Sequence, residues 1–107
     1  MSPEFKKNPD FAYDVIIIGA GGAGMMCAIE AGRRGRSVIL IDHNHEVGRK
    51  ILISGGGRCN FTNTGVKPEC YVSENKHFAK SALARYEASD FIKLVEKHRI
   101  RYHEKKL

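Results

Sequence analysis

Apolar residues form two short unbroken blocks in the first half of the chain, Val15 to Ile18 and Val38 to Ile41, with a stretch of helical periodicity between them. The run Tyr13-Asp14-Val15-Ile16-Ile17-Ile18 is too continuous for a half-exposed strand and predicts a parallel strand buried on both faces. Glycines punctuate it from Gly19 to Gly24. Helix formers then extend from Ala23 to Arg34, with Gly35 as a stop. Ala23, Cys27 and Ala31 recur every four positions and predict a thin helix face that lies close to a sheet. A second buried-type strand, Ser37 to Asp42, follows at once. Strand, tight turn, helix and strand within about 30 residues make one βαβ unit with a right-handed crossover.

Beyond Asp42 the pattern changes. Residues 43–70 lack sustained periodicity and carry Gly48, Gly55, Gly56, Gly57, Gly65 and Pro68, so they read as a long loop of the functional kind. Helical spacing returns over Asn75 to Tyr86. It resumes after Ser89 as N-cap, with Phe91, Ile92, Val95 and His98 on one side. Ile100 to Glu104 alternates like the first arm of a hairpin. Only two strands of buried type are present, and a two-stranded parallel sheet with one crossover helix cannot cover both of its faces. The expected organisation is therefore a polar leader over residues 1–12, and over residues 13–107 the N-terminal part of a larger α/β domain.

Composition narrows the class. With 107 residues, 42% hydrophobic and 28% charged, the chain suits a small soluble α/β unit and neither a disordered nor a fibrous protein. No apolar run approaches the roughly 20 residues needed to cross a bilayer, so no membrane partner is expected. Cys27, Cys59 and Cys70 include no CxxC pair, which argues against a disulfide framework or thiol exchange and for a cytoplasmic setting. The net charge of +6 raises the question of nucleic acid. Its two basic clusters, Arg33 to Arg58 and Lys97 to Lys106, do not interleave aromatics or form a known binding motif. The expectation is no nucleic acid: the first cluster meets an anionic cofactor and the second is a solvated face.

The candidate chemistry lies in the glycine turn. Gly19-Ala20-Gly21-Gly22-Ala23-Gly24 matches GxGxxG in its required context of strand before and helix after. Gly19 permits the tight turn, Gly21 lets the backbone approach a pyrophosphate, and Gly24 allows the helix to pack on the strand. Asp42 closes the second strand where a carboxylate can accept hydrogen bonds from a ribose. This constellation predicts a Rossmann-like dinucleotide-binding fold and leaves FAD and NAD equally open, as it leaves open a stand-alone nucleotide-binding module without redox chemistry. His43 and His45 beside Asp42 read as a solvated turn, so no metal is expected. No histidine has an acid-base partner in the pattern, and no catalytic residue is nominated.

A second glycine-rich stretch, Gly48-Arg49-Lys50-Ile51-Leu52-Ile53-Ser54-Gly55-Gly56-Gly57-Arg58-Cys59-Asn60-Phe61-Thr62-Asn63, is far more specific than GxGxxG. With the segment from Gly19 to Asp42 it closely resembles the N-terminus of a bacterial flavoprotein family, the NAD(FAD)-utilising or aminoacetone-oxidase-like FAD-dependent oxidoreductases. Ala82 to Tyr86 and Tyr102 to Lys105 also look like that family. The resemblance implies a three-layer ββα FAD/NAD(P)-binding fold, incomplete in this chain, from a parent that oxidises or reduces a small-molecule substrate, with NAD(P)H as redox partner. It implies FAD in an extended pose, with Gly19, Ala20, Gly21, Gly22, Ala23 and Gly24 at the pyrophosphate. Asp42 would meet the ribose with His43 beside it, Arg49 and Lys50 would lie by the adenosine half, and Gly56, Gly57, Arg58, Cys59 and Asn60 would run towards the flavin. Cys59 is expected to pack near the cofactor, not to act as a catalytic thiol.

Overall fold

The computed structural model describes residue 10 and residues 12–105, so the proposed leader lies almost wholly outside the described residues. The chain falls into two units, Met1–Cys59 and Asn60–Leu107.

The first unit is a βαβ arrangement. Strand β1 (Val15–Ile18) leads through the glycine turn into helix α1 (Gly22–Arg33), and strand β2 (Val38–Ile41) returns parallel to β1, with Val15 opposite Val38 and Ile18 opposite Ile41. The strands are joined below their first rung by a side-chain exchange. Asp14 N–H donates to Ser37 Oγ and Ser37 N–H donates to Asp14 Oδ2, both at 2.9 Å. Helix α1 ends at Arg33, and Gly35 sits in the left-handed region at φ 77°, as its role as a stop requires.

Two expectations change here. The β-branched run is buried on alternate residues only: Val15 and Ile17 are half-buried, whereas Ile16 is 64% and Ile18 88% exposed. The physical reason is that α1 packs on the face of the sheet that carries Ile17, leaving Ile16 and Ile18 open on the other. The helix face is also set differently. Ala23 and Cys27 are exposed, and the residue that meets the sheet is Gly24, where an added Cβ would run into the Gly19 carbonyl oxygen and touch Ile17. The absence of a side chain at Gly24 fixes how closely α1 crosses β1 and thereby rotates the face.

Residues 43–70 are less irregular than their sequence suggests. They hold a short helix α2 (Arg49–Ile53), a 3-10 turn over Ser54–Gly57 and another over Pro68–Cys70. Gly48 precedes α2 with φ 63°, and its buried backbone lies against Met25.

The second unit contains helices α3 (Lys80–Arg85) and α4 (Ala88–Lys97). Helix α3 begins five residues later than the spacing predicts, after turns over residues 76–79. The N-cap of α4 is Glu87 and not Ser89, because Glu87 and Asp90 form a reciprocal capping box in which Glu87 N–H donates to Asp90 Oδ2 at 2.7 Å. Two carboxylates here replace the usual hydroxyl and also complement the positive end of the helix. At the other end, Arg99 N–H donates to Glu96 O at 2.9 Å and Ile100 N–H to Val95 O at 3.2 Å, a Schellman closure with Arg99 at φ 56° where glycine is usual. Residues 100–104 form no strand. Instead Tyr102 turns back on α4: its hydroxyl donates to Glu96 Oε1 at 2.6 Å and its ring stands edge-on to Phe61 at 5.5 Å. Phe61 in turn packs on Phe91 at 5.7 Å, and Ala79 and Val95 are the buried apolar residues of this unit.

The close crossing at Gly24 gives a direct expectation. Gly24→Ala forces the βα turn apart and destabilises the protein by about 1–3 kcal/mol, read as a lower unfolding midpoint, whereas Gly32→Ala, where an added Cβ meets nothing, leaves the midpoint unchanged or raises it. Equal midpoints for the two variants would contradict the packing role of Gly24.

Candidate dinucleotide site

The turn between β1 and α1 is held by three hydrogen bonds from the β2 side. Gly19 N–H donates to Ile41 O at 2.7 Å, Ala20 N–H donates to Asp42 Oδ2 at 2.8 Å, and Ala20 O accepts from Gly48 N–H at 2.7 Å. Ala20 is 1% exposed. The N–H and C=O of Ala20 itself are thus both hydrogen-bonded, which pins the turn to the β2 side. Asp42 is fixed as well, since its Oδ1 accepts from Asn44 N–H at 2.7 Å. These two backbone donors, Ala20 first, hold the Asp42 carboxyl below its ordinary value of 3.8, against the upward push of desolvation.

On the outer side the turn is open. Added Cβ atoms at Gly19 and Gly21 would meet nothing within 4 Å, and Gly19 has φ 106°. Gly21 is the N-cap of α1 in extended conformation, with no side chain bonded over it, and the first intrahelical bond is Met25 N–H to Gly21 O. The N–H groups of the first turn therefore keep no intrahelical partner, and Gly21, Gly22 and Ala23 are exposed at the positive end of a 12-residue helix. That arrangement fits an anionic diphosphate.

The sequence-nominated residues divide into three groups. Gly19 to Gly24 and Asp42 come together in the structure as just described. His43 lies beside Asp42, its Nδ1 3.9 Å from Oδ1, with the ring 92% exposed. Arg49 and Lys50 occupy the exposed start of α2, and the α2 residue Ile51 comes within 3.6 Å of where a Gly22 side chain would stand, so α2 is docked beside the start of α1. Gly56 and Gly57 are left-handed, at φ 65° and 85°, with open space around them. Arg58 is exposed and Cys59 half-buried, while Asn60 begins the second unit. Among the described residues no cluster of His, Cys, Asp or Glu could hold a metal, and no helix is long and apolar enough to cross a membrane. A shallow groove of about 420 Å³ in the second unit, lined by Val66, Pro68, Leu83 and Ile92 with Lys67 and Lys80, contains none of the nominated residues.

Gly48 is the residue of this turn whose part the sequence pattern does not reveal. Its role rests on a left-handed backbone that aims its N–H at Ala20 O, and nothing in the sequence separates it from the neighbouring glycines. Asn44 is more accessible to foresight, because an Asp that ends a strand commonly accepts from the N–H two residues on.

Over residues 13–107 the sequence matches the family described as the HI0933-like protein Rossmann domain. The chain belongs to the HI0933-like Rossmann-domain family. Among curated relatives, this HI0933-like domain is 62% identical over 95 residues to the ribosomal RNA dihydrouridine synthase of Escherichia coli, covering 89% of the chain and 24% of that protein. It is 58% identical over 92 residues to the enzyme of the same name from Haemophilus influenzae, covering 86% of the chain and 23% of that protein. It is also 38% identical over 72 residues to a 3-dehydro-bile acid delta(4,6)-reductase of Clostridium scindens, covering 65% of the chain and 18% of that protein. The chain thus spans about a quarter of the length of the first two relatives. The α/β Rossmann fold expected from the glycine turn is the family's fold. The expectation of no nucleic acid has no support here, since two close relatives are named for an RNA substrate.

For the HI0933-like domain the Asp42 bonds set a pH dependence. A carboxyl held low in the folded state stabilises above its unfolded value, and that contribution disappears as pH falls through the folded value. Asp42→Ala is therefore less stable than the wild type at pH 7, and the gap closes as the pH drops below 3.8. Asp42→Asn, with one acceptor oxygen left for two N–H donors, falls between them at pH 7. Denaturant titrations of the three proteins across pH test this order, and a gap that stays constant into acid contradicts it.

Proposed function

We propose that this chain is the N-terminal dinucleotide-binding segment of a flavin-dependent oxidoreductase, and that the full-length protein reduces uridine in ribosomal RNA to dihydrouridine. The observation that carries the binding part is the clamped Ala20 turn, which leaves Gly19, Gly21 and the first N–H groups of α1 open to a diphosphate. The substrate part is supported by the identity to the two ribosomal RNA dihydrouridine synthases, and it replaces the small-molecule substrate suggested by the flavoprotein resemblance. A cytoplasmic location accords with that substrate.

In this reading each residue has a definite task. The N–H groups of Gly21, Gly22 and Ala23 hold the pyrophosphate. Asp42 uses one lone pair of each oxygen on the backbone and keeps further acceptor capacity for the ribose hydroxyls of FAD, with His43 at the solvent edge. Arg49, Lys50 and Arg58 supply positive charge, and Gly56, Gly57, Cys59 and Asn60 carry the chain towards the flavin end. The flavin that these residues would hold would supply, when reduced at the expense of NAD(P)H, the hydride that with a proton saturates the uracil 5,6 double bond.

The full-length protein is expected to purify yellow, with flavin absorbance near one per chain. Gly21→Val places a branched side chain where the pyrophosphate would lie and removes most of the flavin while leaving the circular dichroism of the fold intact. Ribosomal RNA incubated with the protein and NAD(P)H should gain one pair of hydrogens at a uridine, read by mass spectrometry of the digested RNA. Full flavin content in Gly21→Val rejects the site assignment, and unreduced RNA with a fully flavinated protein rejects the substrate.

A further inference from the structure

We infer that the segment closing α4, with Lys97, Arg99 and Arg101, is a phosphate-contacting surface for the RNA substrate. The inference rests on the RNA reading above, but its particulars come from the geometry of this segment. From Lys93 to Lys105 the chain carries Lys93, Lys97, Arg99, Arg101 and Lys105 against Glu96 and Glu104. All five cations are exposed, and among the described residues none of them enters an ion pair. Glu96, the carboxylate closest in sequence to Lys97, is instead taken by the Tyr102 hydroxyl at 2.6 Å.

The backbone is unusual at the centre of this patch. Arg99 occupies the left-handed position that ends the helix, at φ 56°, a place where glycine is the residue the backbone prefers. A cationic side chain kept at a strained position is a pointer to function. The segment is also anchored although it forms no strand. Ile100 N–H returns to Val95 O, and Tyr102 is held by Glu96 and by the edge-on contact with Phe61. The intervening Arg101 is exposed beside these two fixed points, so the guanidinium groups of Arg99 and Arg101 stand on a backbone that is already ordered. The Tyr102 ring and hydroxyl are engaged with Phe61 and Glu96, and the groups that dominate the exposed surface are the five cations, which makes this chiefly a backbone-contacting surface. The chemistry it fits is a run of phosphodiesters, with arginine forks as the main contacts.

The test uses the full-length protein and an unmodified ribosomal RNA transcript, with binding measured at several salt concentrations. Arg99→Gly and Arg101→Gln should each weaken binding about threefold to tenfold at low salt, and each should make the dependence of log K on log salt shallower by about one unit or somewhat less. Arg99→Gly also relieves the left-handed strain, so its unfolding midpoint should equal or exceed that of the wild type while RNA binding falls. A purely structural role for Arg99 would not produce that opposition. Wild-type affinity and salt slope in the Arg99→Gly/Arg101→Gln double variant, from a protein that does bind the transcript, overturn this surface and leave the substrate reading intact. A wild-type protein that does not bind the transcript overturns both.

Discussion

The Ala20 peptide groups are gripped from both directions, and the geometry of the whole first unit follows from that grip. Ala20 N–H ends on Asp42 Oδ2 and Ala20 O receives Gly48 N–H, so residues from before and after the turn over residues 43–46 converge on one buried alanine. Asp42 and the Ile41 carbonyl, which accepts from Gly19 N–H, tie the end of β2 to the glycine turn, while Gly48 brings the start of α2 to the same point. A buried peptide left without these partners would carry a cost comparable to a lost hydrogen bond at each end. The clamp removes that cost and, by using up the inward-facing groups, leaves the outward-facing N–H groups of the α1 start for a ligand. Asp42 thus contributes twice, to the shape of the turn and to the charge beside it.

Much of this was legible from residue pattern. The βαβ order, the tight turn at Gly19 and the close helix crossing at Gly24 each have a steric cause that sequence states directly, because only glycine permits φ 106° at the first and the absence of a Cβ at the other. The capping of α4 was not legible in the same way. Ser89 is a good N-cap by residue type, but Glu87 and Asp90 satisfy each other's backbone donors reciprocally, and a reciprocal pair outweighs a single hydroxyl. The exposure of Ile16 and Ile18 was hidden for another reason. A continuous β-branched run records that both strand faces are apolar, whereas burial also depends on what lies against them. The same run that predicts a fully buried strand is here covered by α1 on one side.

The conformation of the second glycine stretch could not be read from composition, and it bears on what that stretch can offer. Gly55, Gly56 and Gly57 are all left-handed, Arg58 returns to φ −100°, and Cys59 is left-handed again at φ 54°. Only glycine adopts this conformation at little cost, and for Cys59 it costs roughly 1–2 kcal/mol. Alternating handedness of this kind gathers successive N–H groups on one side. Two of them are already used, because Arg58 N–H donates to Gly55 O at 3.3 Å and Cys59 N–H to Ser54 O at 3.0 Å. The loop therefore closes on its own carbonyls and cannot present those amides to an anion. What it leaves free is the surface of Gly56 and Gly57, where no side chain stands and none would meet a neighbour within 4 Å. A side-chain-free backbone would suit close approach by a planar ring better than it suits a phosphate, and under the function proposed above this would divide the labour between the two glycine-rich segments. The first, at a helix N-terminus whose first amides have no intrahelical partner, would serve charge. The second, with the Arg58 and Cys59 amides turned to its own carbonyls and a bare backbone at Gly56 and Gly57, would serve contact in that reading.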